Sequence, residues 1–298
     1  MSATDARTPQ APINKRALEK QARAEERNTL SLSLPAFILI GSLVLIPIGW
    51  LFWLSIYGSD GFTAENYVRL LHPSYKKTLI TTFELAFLVT GLCILLGYPL
   101  AYLASQLKPR LASLLLLCVL FPFWTSLLVR TYAWLVLLQR RGLVNNWLMD
   151  MGLIDAPLKL VHNFTGTTIG MVHIMLPFLV LPLYASMKTV DLSLMRAASN
   201  LGASPIKAFW QIYVPLTVSG LGAGVILVFV LSLGFYVTPA LLGGGRVMMW
   251  AMQIERSMAV YADWGAASAL GVVLLVMTLG ILWAFARLTG AMSSVEGK

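Results

Sequence analysis

Long apolar blocks separated by short charged segments set the pattern of this chain. The blocks 28–59, 160–187, 208–245 and 264–286 contain no Lys, Arg, Asp or Glu, and the blocks 78–107 and 111–139 hold one each, Glu84 and Arg130. About 20 consecutive apolar residues suffice for a helix to cross the hydrocarbon core of a bilayer. The pattern therefore predicts an all-α integral membrane protein. About six transmembrane helices are expected, at roughly 34–57, 78–105, 112–138, 166–187, 216–241 and 265–288.

Composition agrees: 58% of the 298 residues are hydrophobic and 12% charged, where a soluble domain carries about 25% charged residues. The net charge of +9 does not point to nucleic acid, because the cations sit in a tail and in short loops between apolar blocks. Lys and Arg concentrate on the cytoplasmic side of membrane proteins. With the first tail inside, 13 of the 22 cations fall on the cytoplasmic side and eight outside, and Arg130 stays within an apolar block. The reading is a polar cytoplasmic tail over 1–29, helical from Lys15 to Arg27, then a membrane domain over 30–290 and a short tail over 291–298. Both termini are expected in the cytoplasm. The first apolar block begins too late, and lacks the small-residue cleavage site, for a secretory signal. Cys93 and Cys118 both lie in apolar blocks and read as small core residues.

The segment between the fourth and fifth helices carries the most information. Asp191 suits the N-cap of a short helix over 192–200, and Gly202 suits the left-handed residue that ends it. Ser204 then caps a second helix with Pro205 at its first position, where the missing N–H costs nothing. Ile206, Phe209, Trp210 and Tyr213 fall at i, i+3, i+4 and i+7 and predict one apolar stripe; Pro215 is expected to close the unit. Ala197, Ala198, Gly202 and Ala203 are small enough for another surface to come close. Two readings of the segment stand side by side: a docking element for a soluble partner, or a stripe that packs on the chain's own helices.

The spacing Arg196-Ala197-Ala198-x-x-x-Gly202, nine residues, then Ile212-x-x-Pro215 resembles the coupling loop of ATP-binding-cassette importer permeases. Arg196 stands where that family usually has glutamate. Pro122-Phe123-Trp124-Thr125-Ser126-x-x-Val129-Arg130-Thr131-Tyr132-Ala133-Trp134 and Gly97-Tyr98-Pro99-Leu100-Ala101-Tyr102 are similar to segments of its spermidine/putrescine permease branch. So are Gly142-Leu143-Val144-Asn145-Asn146, Val237-Thr238-Pro239-Ala240-Leu241-Leu242-Gly243-Gly244 and Ala262-Asp263-Trp264. The resemblance implies the type I importer permease fold. It also implies a dimer of ATPase subunits that grips Arg196, Ala197, Ala198, Gly202, Ala203, Ser204, Ile206 and Pro215, a second permease subunit of different sequence, and a periplasmic solute-binding protein. The implied location is the bacterial inner membrane, and the implied solute is small and polar: a polyamine, an opine or an amino-acid-like molecule.

An ionisable group inside the membrane is costly and faces a cavity or a partner. Glu84 and Arg130 either pair with each other or line a solute path with Tyr132, Trp134, Tyr184 and Tyr236. Acidic and aromatic walls would favour a cation, whereas Arg130 would favour a carboxylate. Glu255 and Asp263 lie in the last outer segment, where a binding protein would dock. His173 stands alone in its helix, and no residues have metal-ligand spacing. Gly243-Gly244-Gly245-Arg246 lacks the Lys-Ser/Thr of a phosphate loop, so the chain is not expected to be an enzyme or to hold a cofactor, and ATP and Mg²⁺ would be bound by the partner ATPase. The rival readings are a transporter driven by an ion gradient, which would carry internal repeats and more membrane carboxylates, and an intramembrane enzyme, for which no catalytic set is visible.

Overall fold

The computed structural model describes residues 15–58 and 61–296, with side chains from 33 to 58 and from 61 to 287. Residues 1–14 of the expected tail, and 297–298, lie outside the described residues. The chain divides between Trp53 and Leu54 into two units. The first is most of helix α1 (Lys15–Ile56), whose side chains from Ser33 to Trp53 are largely exposed.

The second unit is built on three long helices, α3 (Pro73–Gln106), α7 (Phe164–Thr189) and α10 (Val214–Leu233), which pack together. Leu85, Val89 and Cys93 from α3, Met171, Met175 and Leu179 from α7, and Val228 from α10 fill their shared core. Small residues let the backbones approach, as they must where lipid supplies no hydrophobic drive between helices. A methyl group on Gly220 would stand 2.2 Å from Ser186 Cβ, and one on Gly224 would stand 3.0 Å from the Leu179 carbonyl oxygen. Cys93 is buried in this core, while Cys118 is exposed on α4 (Pro109–Leu120), so only the first of the two expected core cysteines is one.

Five helices among the described residues are long and apolar enough to cross a membrane, and a sixth span is possible from a bent pair. That pair corrects the single helix expected over 112–138. α4 runs into a 3₁₀ turn at Phe121–Trp124, and α5 (Leu127–Leu137) then leaves at 100°. The cause is local: Pro122 cannot donate to the helix ladder, and both the N–H and the hydroxyl of Thr125 bond back to the Pro122 carbonyl, at 3.2 and 2.8 Å. Thr125 and Ser126 are left extended.

The fifth expected helix, 216–241, also differs at both ends. It stops at Leu233 with Gly234 after it, and α11 (Val237–Leu242) is separate. A continuous helix would drive the ring of Pro239 into the carbonyl of residue 235. At its other end α10 does not begin beyond Pro215. It continues backwards through a π turn, Phe209–Tyr213, into α9 (Pro205–Ala208), making one apolar helix over Pro205–Leu233. An added residue per turn widens the backbone, which gives the Pro215 ring room where it would otherwise meet the carbonyl of residue 211.

The remaining elements, one long span among them, complete the unit. α2 (Glu65–Arg69) and α13 (Trp264–Glu296) are tied by Arg69, which pairs with Asp263 at 3.0 Å and with Glu65 at 2.7 Å. α12 (Trp250–Ala259) is anchored by Trp250, whose backbone N–H donates to Thr82 and whose indole donates to the Leu270 carbonyl. α6 (Leu143–Asp150) holds Asn145, fully buried, whose side chain bonds Leu158 in both directions.

Candidate functional site

Two regions hold the candidate residues. The first is the segment between α7 and α10. The Asp191 carboxylate accepts the hydroxyl of Ser193 at 2.6 Å and its backbone N–H at 2.8 Å, and α8 (Ser193–Asn200) starts one residue later than the sequence suggested, with Leu192 and not Asp191 at its N-cap. These bonds, the hydroxyl's first, together with the charge of Arg196, hold the Asp191 carboxyl below the usual carboxylate range. Gly202 has φ +83° and no atom within 4 Å of where a Cβ would lie. The turn is therefore left-handed, and it is open on its outer side. Ser204 Oγ accepts the Lys207 N–H, and Pro205 opens α9.

The expected single stripe on this helix is two stripes. Phe209 and Tyr213 turn inward and stack on each other with ring centres 5.7 Å apart. Tyr102 of α3 meets both rings edge-on, at 5.4 and 5.3 Å, and Tyr98 meets Phe209. Tyr213 is buried and shares a hydrogen bond with Ser105 at 3.2 Å; Tyr98 shares one with Thr217 at 3.1 Å. Ile206 and Trp210 face out, 74% and 64% exposed, and Leu201 at the turn is 89% exposed. Leu201 is missing from the sequence-derived set, although its place beside a left-handed glycine marked it as a tip residue. Arg196, Ala197, Gly202, Ser204 and Pro215 are exposed, Ala203 is half-buried and Ala198 is buried under the unit.

The second region lies around α5. Trp134 Nε1 donates to His173 Nδ1 of α7 at 3.1 Å, with the rings edge-on at 5.6 Å. His173 thus has its polar partner. Arg130 lies one turn before Trp134 on the same face of α5. Its Nε is buried with no acceptor among the described residues. Thr131 and Thr238 share a buried hydrogen bond at 3.2 Å that pins α5 to α11. Glu84 does not pair with Arg130; it is exposed on α3. Tyr132 lies about 200° around α5 from Arg130, since successive residues turn by about 100°, and it is exposed. Tyr184 packs partly buried among Leu183 and Met187, about 16 Å along α7 from His173 at 1.5 Å per residue. Tyr236 sits in the break between α10 and α11. Of the suggested path residues, Trp134 meets His173 with Arg130 one turn away, Tyr236 sits at the start of the helix that packs on α5, and Glu84, Tyr132 and Tyr184 lie elsewhere on their helices.

Glu255 is exposed on α12. Asp263 caps α13 through the Ala266 N–H at 2.9 Å in addition to holding Arg69, so it already has structural work.

The fold is that of a multi-span membrane protein: a helical bundle that could cross a membrane five or six times, with the short helices α8 and α9 set between α7 and α10. The chain belongs to the family described as binding-protein-dependent transport system inner membrane component, whose model matches residues 93–293. It is 32% identical over 255 residues to the spermidine/putrescine transport system permease protein PotB of Haemophilus influenzae, covering 84% of this chain and 88% of that one. It is 34% identical to PotB of Escherichia coli K12 over 238 residues, covering 79% and 86%. In fold it is similar to a chain of a bacterial alginate ABC transporter solved with an alginate pentasaccharide-bound periplasmic protein. There the TM-score is 0.68 at 16% identity, covering 91% of this chain and 97% of that one. The chain is thus a type I permease subunit of a binding-protein-dependent importer, a multi-pass membrane protein and a transport component.

Proposed function

We propose that the unit over 189–215 receives the stroke of a separate ATP-hydrolysing subunit, which binds the ATP and Mg²⁺. The carrying observation is continuity: the outward-facing tip and the membrane span are one helix from Pro205 to Leu233. Its 29 residues are about 43 Å long at 1.5 Å per residue. A push on the tip moves the span with it, while Phe209 and Tyr213 carry the movement to α3. The other half of the pathway is a second permease chain, and a periplasmic binding protein delivers the solute at the Glu255 end. The permease domain runs over 30–290 between a cytoplasmic tail over 1–29 and a C-terminal tail on the same side, in the bacterial inner membrane. The solute is small and polar, of the polyamine, opine or amino-acid-like kind. Both PotB relatives are named for polyamines, and Arg130, Trp134 and His173 offer a polar lining within the membrane. ATP binding and hydrolysis act by favouring one of two states, with no chemistry on the solute.

The test is Gly202→Glu beside Gly202→Asn. Asparagine tolerates the left-handed turn and adds only a short side chain, whereas glutamate projects a charge from the open side of the turn. In vesicles holding the assembled complex, Gly202→Glu is expected to keep ATP hydrolysis and lose uptake, and Gly202→Asn to keep both. Normal uptake by the glutamate variant would remove the coupling role. Uptake by the chain alone on an ion gradient would replace the importer reading altogether.

A further inference from the structure

A groove of about 440 Å³ opens beside the tip, between α8, α9 and the end of α3. Tyr102 and Phe209 give it an aromatic floor, and Arg196, Ser199 and Asn200 stand at its mouth. Ser199 spends its hydroxyl proton on the Met195 carbonyl at 3.1 Å, so it offers only an acceptor. The Arg196 guanidinium and the Asn200 amide have no hydrogen-bond or ion-pair partner among the described residues. Asp191, whose carboxyl feels the charge of Arg196 without pairing with it, takes its hydrogen bonds from Ser193. The wider surface has the same sign: of the ionised residues at 107–110 and 188–207, Lys108, Arg110, Lys188, Arg196 and Lys207 are cations and Asp191 alone is an anion. Beside the groove, Leu201, Ile206 and Trp210 form an apolar ridge outside the core. Exposed apolar surface rimmed by polar groups marks a protein or membrane contact; the cations and hydrogen-bond donors around this ridge favour a protein, so the occupant of the groove is taken from a macromolecule that also covers the ridge.

We propose that the groove is a socket for a carboxylate side chain of the ATP-hydrolysing subunit, seated against Arg196 and Asn200. Two donors on a planar guanidinium and one on an amide match the two oxygens of a carboxylate. The aromatic floor shields the pair from water, and the five cations draw the acidic surface in. The ridge and the socket then engage one partner in both directions: apolar side chains of this chain enter it, and one of its acids enters here. Arg196 selects among ATPase subunits by charge. This assignment rests on the importer reading and goes beyond it by fixing the sign of the partner's surface.

The experiment uses the full chain, tagged and purified in mild detergent with whatever subunits accompany it. The ATPase retained is measured for the native chain, Arg196→Lys, Arg196→Ala and Arg196→Glu at low and high NaCl. Rim charges set association and its salt dependence. Retention is expected to fall about 5-fold in Arg196→Ala and more in Arg196→Glu, as a partly shielded charge pair of about 1 kcal/mol implies. Arg196→Lys should keep most of it, and salt should weaken the native complex more than the alanine one. Reversal of one acid on the ATPase should restore Arg196→Glu. Equal or better retention by Arg196→Glu, with the native chain holding its ATPase, overturns the socket alone. A native chain that carries no ATPase overturns the socket and the importer reading together.

Discussion

Two glycines two residues apart on α10 should respond to the same substitution in opposite ways. A methyl on Gly220 would lie 2.2 Å from Ser186 Cβ and 2.9 Å from the Pro182 carbonyl oxygen, both on α7. Carbon atoms rest at about 3.5–4.0 Å, so α10 would have to retreat by about 1.3 Å or more from its closest neighbour. Overpacking of this kind costs about 1–3 kcal/mol. On Gly222 the same methyl meets only the far end of the Phe285 ring, at 3.0 Å. The contact is with the far end of a side chain and not with backbone, so a shift of a few tenths of an ångström relieves it, and the gain in helix propensity is up to about 1 kcal/mol. Gly220→Ala is therefore expected to lower the apparent melting temperature of the purified protein by about 2–10 °C. Gly222→Ala should leave it level or raise it. Because part of the clash is with one side chain, Ser186→Gly should recover part of the loss in Gly220→Ala, and the double-mutant cycle isolates that contact. Equal effects at the two glycines, or no recovery in the double variant, would refute the close approach of α10 to α7.

The remaining predictions concern single contacts. Arg130→Ala should impair uptake while the assembled complex keeps its ATPase, and unchanged uptake in vesicles would move Arg130 out of the pathway. Tyr213→Phe deletes one buried hydrogen bond to Ser105 and should cost about 1 kcal/mol, read as a lowered melting temperature with coupling preserved. Asp263→Ala removes both the cap of α13 and the Arg69 pair. Its cost should be about 1 kcal/mol, and Arg69→Ala should cost less, since that pair is exposed. Asp191 has its folded carboxyl held below the ordinary value. Its contribution to the coupling unit is present above the ordinary carboxylate pKa and is lost as pH falls through the folded one. The melting temperature of the purified chain should then fall less across that acid range in Asp191→Asn than in the native chain; an equal fall in the two would refute this.

The six apolar blocks were legible because desolvating a charge in a membrane leaves little freedom in where Lys, Arg, Asp and Glu fall. Gly202, Ser204 and Pro205 were legible for a different reason: each solves a local backbone problem that few other residues solve. The misreadings share a cause in nonlocal or cumulative geometry. Pro122 inside an apolar run reads equally as a kink or a break, and it takes Thr125 bonding back to Pro122 to turn α5 through 100°. The stripe through Ile206, Phe209, Trp210 and Tyr213 assumed 3.6 residues per turn throughout. The π turn at Phe209–Tyr213 breaks that period, so half of the stripe faces α3 and half faces out. Trp134 and His173 stand 39 residues apart and meet only because α5 re-enters at that angle. No periodicity within either helix carries that information.

The π turn also bears on how force could cross this chain. Pro215 would ordinarily break or kink the helix between tip and span, and a kink there would absorb a displacement of the tip. Widening the preceding turn keeps the helix whole, at the cost of poorer hydrogen-bond geometry. Tyr213, within that turn, is fixed by Ser105 and Tyr102, so the wide turn is braced from α3. At the far end the helix is released: Gly234 follows Leu233, and α11 starts afresh, held by Thr131 on α5 and by α7. On the proposed coupling role, a push at Leu201 would become a relative movement of α10 against α11, because Tyr213 braces one end of the helix and the other end stops at Gly234. That joint, with Tyr236 in it, stands beside the helix that carries Arg130 and Trp134. On that role the unbroken helix and the break at Gly234 would complement each other: with a kink at Pro215, or with no break at Gly234, energy delivered at the tip would be spent bending the helix before it reached the pathway.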